Sequence, residues 1–170
     1  AILEESDYQI ILNPHVWLNC DIIHMAQVLL HEAKPSIEGF QRPTLGPARN
    51  FDVVSAEFIQ LLHTGNDHWV CISSIGCVPG YVNLYNFHDI ISDEVEDQTN
   101  HLLGGSLVGL NFAPVQQQTN GSDCGVFAIA FATCLVLKTE PRQVTFDVIG
   151  IRHHLASCLR NRAITMFPCL

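Results

Sequence analysis

The chain has 170 residues, of which 48% are hydrophobic and 15% are charged. This length is typical of one domain, and the composition excludes a disordered tail, a low-complexity linker and a coiled coil. Eight Lys and Arg residues stand against 17 Asp and Glu residues, which gives a formal net charge of −9, and no basic run appears. Binding to nucleic acid or to an anionic membrane surface is therefore not expected.

The lengths of the apolar runs and the spacing of the cysteines indicate where in the cell the protein is expected. The apolar run at 124–137 (CGVFAIAFATCLVL) is shorter than the roughly 20 residues that a membrane span needs, and no signal-like segment opens the sequence. Seven cysteines without a CxxC pair fit neither a disulfide framework nor a zinc knuckle. We therefore expect a soluble protein of the cytoplasm or nucleus, without a metal or other cofactor.

The first part of the chain, about residues 1–66, is predicted to be mainly helical. Asn19 is suited to cap a helix whose apolar residues recur at helical spacing until Pro35. Residues 34–50 contain three prolines and two glycines, which is typical of a loop. The pattern SAEFIQLLH at 55–63 predicts a short helix that ends before Gly65.

The second part, about residues 67–170, is predicted to hold a sheet and buried helices. The runs VCISSI and YVNLYNF predict two strands joined by a turn at 76–80, and SLVGLNFAPV predicts a third strand. A helix is expected from the acidic residues at 93–98 to the glycine pair at 104–105, a buried helix at 124–137 and an amphipathic helix at 147–160. No internal repeat or linker divides the chain, so the sequence predicts one α+β domain over 1–170, with a small central mixed sheet packed between helices.

The segment NGSDCG at 120–125 is the feature most typical of chemical function. A polar turn leads into the buried helix and places Cys124 in its first turn. Free N–H groups and the helix dipole at that end favour a thiolate, so we expect a lowered pKa and a nucleophilic sulfur. The small residues Gly121 and Gly125 would let a substrate backbone approach. The alternative interpretation of Cys124 is a small buried hydrophobe.

A cysteine nucleophile needs a histidine that takes its proton and then passes it to the leaving amine. Among the nine histidines of the chain, His68 is favoured, because it lies between the polar turn at 65–67 and a strong strand. Its ring would then face a cleft at the edge of the sheet. The alternative is that His68 has no catalytic role and is simply solvated or hydrogen-bonded, as most histidines are.

These motifs, taken in order, resemble the ubiquitin-like-protein-specific cysteine proteases, the SUMO-protease family, whose clan also includes the adenovirus-type endopeptidase. His68-Trp69 is followed by a predicted β-meander and then by Gln118, six residues before Cys124. The sequence WLN at 17–19 is similar to the start of the family's catalytic domain. The overall sequence, including the segments GVFAIAFATCL and TMFP, is most similar to the members of this family that are encoded in mobile elements of animal genomes.

The resemblance implies a role for each matching residue. Cys124 is implied as the nucleophile, His68 as its base and then acid, and Gln118 as the side-chain donor to the oxyanion. The family has an aspartate after the second strand, where this chain has Asn86. An asparagine oxygen can orient the imidazole but lacks the charge that stabilises imidazolium. Asp89 is the alternative for this position.

The resemblance also implies a narrow channel for the Gly-Gly tail of a modifier protein, covered by the indole of Trp17. Only glycines pass beneath a flat ring, so the ring would exclude bulkier tails. Trp69 is given the same role, and Gly121 and Asp123 complete the predicted substrate-binding set. For both tryptophans the alternative is a place in the hydrophobic core.

The predicted function is a thiol protease or isopeptidase, acting as a monomer, that cleaves after the C-terminal Gly-Gly of a ubiquitin-like modifier. SUMO is the modifier that the resemblance implies, and ubiquitin is its competitor because its more basic face suits an acidic enzyme. One alternative is a viral or mobile-element polyprotein endopeptidase. The other, motivated by Asn86, is a catalytically weak module that binds ubiquitin-like proteins.

Overall fold

The computed structural model describes residues 2–65, 68–86, 92–117 and 120–170. The α-helices of this part of the chain are α1 (Glu5–Leu12), α2 (Cys20–Ala33), α3 (Asp93–Leu102), α4 (Cys124–Val136) and α5 (Ile151–Asn161). The strands are β1 (Glu38–Gly39), β2 (Phe58–His63), β3 (Trp69–Ser73), β4 (Tyr81–Tyr85) and β5 (Gly109–Phe112). None of these helices is long and apolar enough to cross a membrane.

The five strands form one mixed sheet in the order β1-β2-β3-β4-β5. β2, β3 and β4 are antiparallel to one another, while β1 runs parallel to β2 and β5 runs parallel to β4. In the centre of the sheet, Cys71 pairs with Leu61 on one side and with Tyr85 on the other. The predicted α+β class with a central mixed sheet is confirmed.

The two sides of the sheet bury cores of unequal size. α4 packs on β2 and β3, with α2 and α5 packed against it and α1 against α5. This side holds the larger hydrophobic cluster, with Phe127 and Phe131 among its fully buried side chains, each worth roughly 1.5–3 kcal/mol on burial. The smaller cluster, on the side of α3, includes Phe58 and Val95. α4 is buried almost throughout because it is apolar on every face.

Several elements match the predictions from local sequence. The side chain of Asn19 accepts a hydrogen bond from the Ile22 amide at 3.0 Å and caps α2, which ends at Ala33 before Pro35. The hairpin of β3 and β4, the helix α3, the strand β5 and the buried helix α4 are all present as predicted. In each case a turn or cap signal flanks an unambiguous pattern.

Other predictions about the first part of the chain are wrong. Residues 58–63 form β2 rather than a helix, because both faces of this apolar run are buried and its backbone pairs with β1 and β3. β1 lies inside the predicted loop, where Gly39 has φ 90° and a Cβ would overlap the carbonyl oxygen of Ile59. Two of the five strands therefore precede residue 66, so the division into a helical part and a sheet part does not hold.

The predictions for the two ends of the chain also differ from the structure. α1 was not predicted, since its sequence ESDYQIIL carries only a weak apolar face. α5 begins at Ile151 rather than at 147, because residues before it make an isolated bridge between Phe146 and Cys169. The last segment of the chain thus pairs with the approach to α5.

Candidate active site

Cys124 is the first residue of α4, and the loop before it is ordered by its own side chains. The amide of Asp123 donates to Oδ1 of Asn120 at 3.1 Å, and Ser122 Oγ donates to the carbonyl of Pro14 at 2.7 Å. Cys124 as a whole is only 1% exposed. Since α4 is fixed by the larger core, the position of the sulfur is fixed with it.

The environment of Cys124 does not lower its pKa. Burial raises the pKa of the thiol to about 11, although hydrogen bonds from the backbone amides of Trp69, Gly125 and Cys124 act to lower it. The backbone amides expected at the start of α4 are present, but their effect on the pKa is smaller than the opposite effect of removing the thiol from solvent. The prediction of a lowered pKa is therefore wrong for the thiol in this environment.

His68 and Asn86 lie together beside the nucleophile. His68 Nε2 is 2.8 Å from Asn86 Oδ1, and Asn86 is buried at the end of β4. Because an amide oxygen only accepts, the histidine must carry a proton on Nε2. His68 directly precedes Trp69, whose amide hydrogen-bonds to the sulfur of Cys124. The structure thus brings the three predicted residues to one end of the sheet.

Gln118 and Asp89 lie outside the described residues, so their predicted roles stay predictions. The two neighbouring glutamines have contacts of their own. Gln116 donates to and accepts from the backbone of Phe146, and Gln117 donates to the carbonyls of Asn86 and Val115. Gln116 and Gln117 are thereby engaged with the protein's own backbone.

The two tryptophans have different environments. Trp17 is 44% exposed, and a Cβ at position 121 would lie 3.8 Å from Cζ2 of its ring. Trp69 is 2% exposed; its indole donates to the carbonyl of Leu18 at 3.2 Å and meets the ring of His63 edge-on. Trp17 therefore faces the glycine turn before Cys124, whereas the predicted substrate contact of the Trp69 side chain is wrong because that side chain is in the core.

Two further predictions are corrected by burial. Asp123 is buried, and its carboxylate pairs with Arg152 at 2.8 Å, so its side chain does not face a substrate. Gly125 is also buried, and a Cβ there would come within 3.2 Å of Ile23 and 3.3 Å of Leu18. Its small size allows α4 to pack against the start of α2 rather than admitting a substrate.

Arg152 is the site residue that the sequence reasoning missed. It lies on the buried face of α5, in line with Leu155, Ala156 and Leu159. A charged residue in the apolar stripe of an amphipathic helix was the available signal, because such a residue needs a buried partner. Within the described ranges, no group of three or more His, Cys, Asp or Glu side chains is placed to hold a metal ion.

Comparison with known proteins gives one family and a set of related folds. Residues 105–164 match the model of the Ulp1 protease family, C-terminal catalytic domain. This match contains Cys124 but begins after Trp17, His68 and Asn86. No curated protein matches the chain in sequence, and the more specific resemblance to mobile-element versions stays a prediction.

Solved structures of similar fold cover nearly the whole chain. A C-terminal Ulp1 protease domain in complex with Smt3, the yeast orthologue of SUMO, has a TM-score of 0.65 at 14% identity, over 92% of this chain and 82% of that chain. A de-sumoylating protease has a TM-score of 0.66 at 14% identity, over 94% and 86%. The catalytic domain of the Ulp1-like SUMO protease of Chaetomium thermophilum has a TM-score of 0.64 at 20% identity, over 96% and 80%.

The family match and the fold lead to one conclusion. The matched segment covers α4 with Cys124 and all of α5, and the shared fold extends over the strands next to His68 and Asn86. The resemblance predicted from the sequence motifs is confirmed by the family match over residues 105–164, and the fold of the chain is similar to that of Ulp1 catalytic domains.

Proposed function

We propose that the chain cleaves after the C-terminal glycine pair of a ubiquitin-like modifier, with Cys124, His68 and Asn86 as its catalytic residues. The observation that carries the proposal is the 2.8 Å contact between His68 Nε2 and Asn86 Oδ1, next to the backbone amide that reaches the sulfur of Cys124. With Nε2 engaged by Asn86, Nδ1 is the ring nitrogen that exchanges a proton with the thiol.

Burial decides how the nucleophile forms. Because burial raises the pKa of Cys124, a thiolate without a cation beside it is disfavoured. The proton therefore moves from sulfur to His68 Nδ1 as the substrate carbonyl is attacked, so that negative and positive charge develop together. Asn86 orients the ring but supplies only a dipole to the imidazolium.

The reaction then follows the acyl-transfer scheme. The sulfur bonds to the carbonyl carbon of the terminal glycine, and Gln118 is the proposed donor to the oxyanion. The tetrahedral intermediate expels the amine, which takes the proton from His68 and leaves a thioester on Cys124. His68 next removes a proton from water, and the hydroxyl bonds to the same carbon to give a second tetrahedral intermediate. Its collapse breaks the bond between carbon and sulfur and releases the modifier with a free C-terminal carboxyl group, while the sulfur of Cys124 regains the proton from His68.

The exposed ring of Trp17 supports a channel for the glycine tail. The ring lies beside Gly121, at the loop that leads into Cys124, and remains 44% exposed. A tail between the ring and this loop would have its last carbonyl near the nucleophile. Side chains larger than hydrogen would meet the indole, which makes glycine the preferred residue.

SUMO is the first proposed modifier, because a structurally similar Ulp1 domain was solved with Smt3. Ubiquitin is the second, because the net charge of −9 favours a basic partner face. We also propose a monomer in the cytoplasm or nucleus. The seven cysteines, all free thiols, support a reducing compartment.

The test uses ubiquitin and SUMO probes that carry a thiol-reactive group in place of the C-terminal glycine. We expect one probe to form a covalent adduct with the wild-type chain and with Cys169→Ala, whose thiol is exposed, but not with Cys124→Ala. If neither probe adds although Cys124 reacts with iodoacetamide, the modifier substrate is wrong and a polyprotein endopeptidase takes its place. If the wild-type chain binds a modifier but neither adds to its probe nor cleaves its fusions, the chain is a binding module.

A further inference from the structure

Arg152 occupies a buried position behind the proposed channel, and every nitrogen of its guanidinium donates a hydrogen bond. Nε donates to Oδ1 of Asp123 at 2.8 Å. The two terminal nitrogens donate to four backbone carbonyls: Nη1 to Ile10 (3.3 Å) and Ile11 (3.1 Å), and Nη2 to Val16 (2.9 Å) and Ser122 (2.8 Å). One side chain therefore ties the end of α1, the segment before Trp17 and the turn before Cys124.

The bonds of Nη2 are the informative ones. The carbonyl of Val16 belongs to the peptide that leads into Trp17, and the carbonyl of Ser122 lies one residue after Gly121. A single nitrogen thus bridges the two strips of backbone that carry the indole and the glycine facing it. The hydrogen bond from Ser122 Oγ to the carbonyl of Pro14 joins the same two strips a second time.

We propose that Arg152 is a positioning residue that sets the gap between the Trp17 ring and Gly121, and thereby the preference for glycine in the tail. This inference rests on the proposed function, since it assumes that the tail passes under Trp17. A guanidinium suits the task because its planar fork presents five donors in fixed directions. Lysine keeps the charge beside Asp123 but has one nitrogen, which cannot span all the carbonyls.

A purely structural role predicts a different result. If Arg152 only stabilised the fold, its replacement would lower the amount of folded protein and slow the cleavage of every tail alike. A wider or looser channel instead changes the ratio of two rates. The decisive quantity is therefore kcat/KM for a Gly-Gly tail divided by kcat/KM for an Ala-Gly tail.

The variants are Arg152→Lys, Ser122→Ala and the control Arg160→Lys. Arg160 lies on the same helix but is exposed and pairs with exposed Glu5. With SUMO fusions that carry the two tails, we expect the ratio to fall about tenfold for Arg152→Lys and about threefold for Ser122→Ala, which keeps the buried ion pair. The control keeps the wild-type ratio. An unchanged ratio in the folded variants overturns the proposal.

A second measurement needs no substrate. Acrylamide quenching of Trp17, obtained as the difference between each chain and the same chain with Trp17→Phe, reports how tightly the indole is held. We expect stronger quenching in Arg152→Lys and Ser122→Ala than in the wild type and the control. If the wild-type chain cleaves neither tail, the proposed function fails, but quenching still tests whether Arg152 positions Trp17. Unchanged quenching in the variants overturns that positioning role. If Arg152→Lys does not fold, Ser122→Ala decides alone.

Discussion

The two sides of the sheet differ in what they bury and in what they carry. The α4 side holds the larger core, and Cys124, Trp69 and Tyr85 belong to it. The α3 side holds the smaller core around Phe58 and Val82, and the described residues of that core include none of the proposed catalytic groups. The nucleophile is thus anchored in the part of the molecule with the most packing, which keeps it in one place relative to His68.

Two arginine–carboxylate pairs, one from each side of the sheet, differ in their exposure to solvent. The side chains of Arg152 and Asp123 are 6% and 8% exposed, whereas those of Arg49 and Glu94 are 33% and 34% exposed. Hydrogen bonds from Arg49 and Gln98 lower the pKa of Glu94 to about 2. The two pairs therefore differ in what their loss costs in stability. Removing one partner of the buried pair leaves an uncompensated buried charge, whereas water replaces a lost partner at the surface.

The largest expected effect tests whether the α4 side carries the chemistry. Cys124→Ala should lower the cleavage rate by at least about 10³-fold, because no other group replaces the nucleophile. Steady-state assays of modifier fusions measure this loss, and thermal unfolding verifies that the variant is folded. Cys77→Ala, in the turn between β3 and β4, is the matched control and should keep full activity.

The second prediction concerns the buried thiol and pH. The pKa of Cys124 is about 11 in the folded chain against an ordinary 9.0, so the folded chain holds this proton to higher pH than the unfolded chain does. The thiol's contribution to stability, roughly 2–3 kcal/mol, is complete below pH 9 and is lost as the pH rises toward 11.

Urea unfolding under reducing conditions at pH 8, 9 and 10 measures this loss. The free energy of unfolding should fall more steeply with pH in the wild-type chain than in Cys124→Ala. Parallel curves for the two chains would contradict a raised pKa of the thiol, and a less steep fall in the wild type than in Cys124→Ala would indicate that the thiolate is already formed in the resting protein.

The third prediction concerns the orienting group. Asn86→Ala should lower kcat about 10- to 100-fold, because the His68 ring loses the acceptor on Nε2. Asn86→Asp should keep or raise kcat, since a carboxylate also stabilises the imidazolium. Equal activity of the wild type and Asn86→Ala would remove Asn86 from the mechanism.

A smaller effect is expected at the exposed rim of the site. Trp17→Ala should lower kcat/KM for a Gly-Gly tail about tenfold by removing the cover of the channel, whereas Trp17→Phe should lose less. Both variants should unfold at nearly the wild-type temperature, because the ring lies mostly outside the core. Full activity of Trp17→Ala would exclude the channel role.

The smallest effect belongs to the α3 side. Arg49→Met should cost less than about 1 kcal/mol at neutral pH and leave the cleavage rate unchanged. Added salt should reduce the difference further, because both partners face solvent. A fall in the free energy of unfolding near the roughly 3–5 kcal/mol typical of a broken buried pair would show that the Arg49–Glu94 pair behaves like a buried one.

Local sequence was enough to predict elements whose signals lie within one turn or one strand. Asn19 could be recognised as a cap, the run after Cys124 as a buried helix, and the residues around His68 as the start of a strand. The motif around Cys124, in order with His68 and Trp17, also indicated a resemblance to the protease family whose model matches residues 105–164. Cap chemistry, hydrophobic periodicity and turn residues act over a few residues, so the sequence displays them directly.

Tertiary structure decided what depends on distant parts of the chain. It made β2 a strand by pairing it on both edges, exposed Trp17 while burying Trp69, and raised the pKa of Cys124 by enclosing it. It also joined Arg152 to Asp123 across 29 positions of sequence. Burial and long-range pairing are properties of the packed molecule, because the atoms that exclude water from a residue come mostly from elsewhere in the chain.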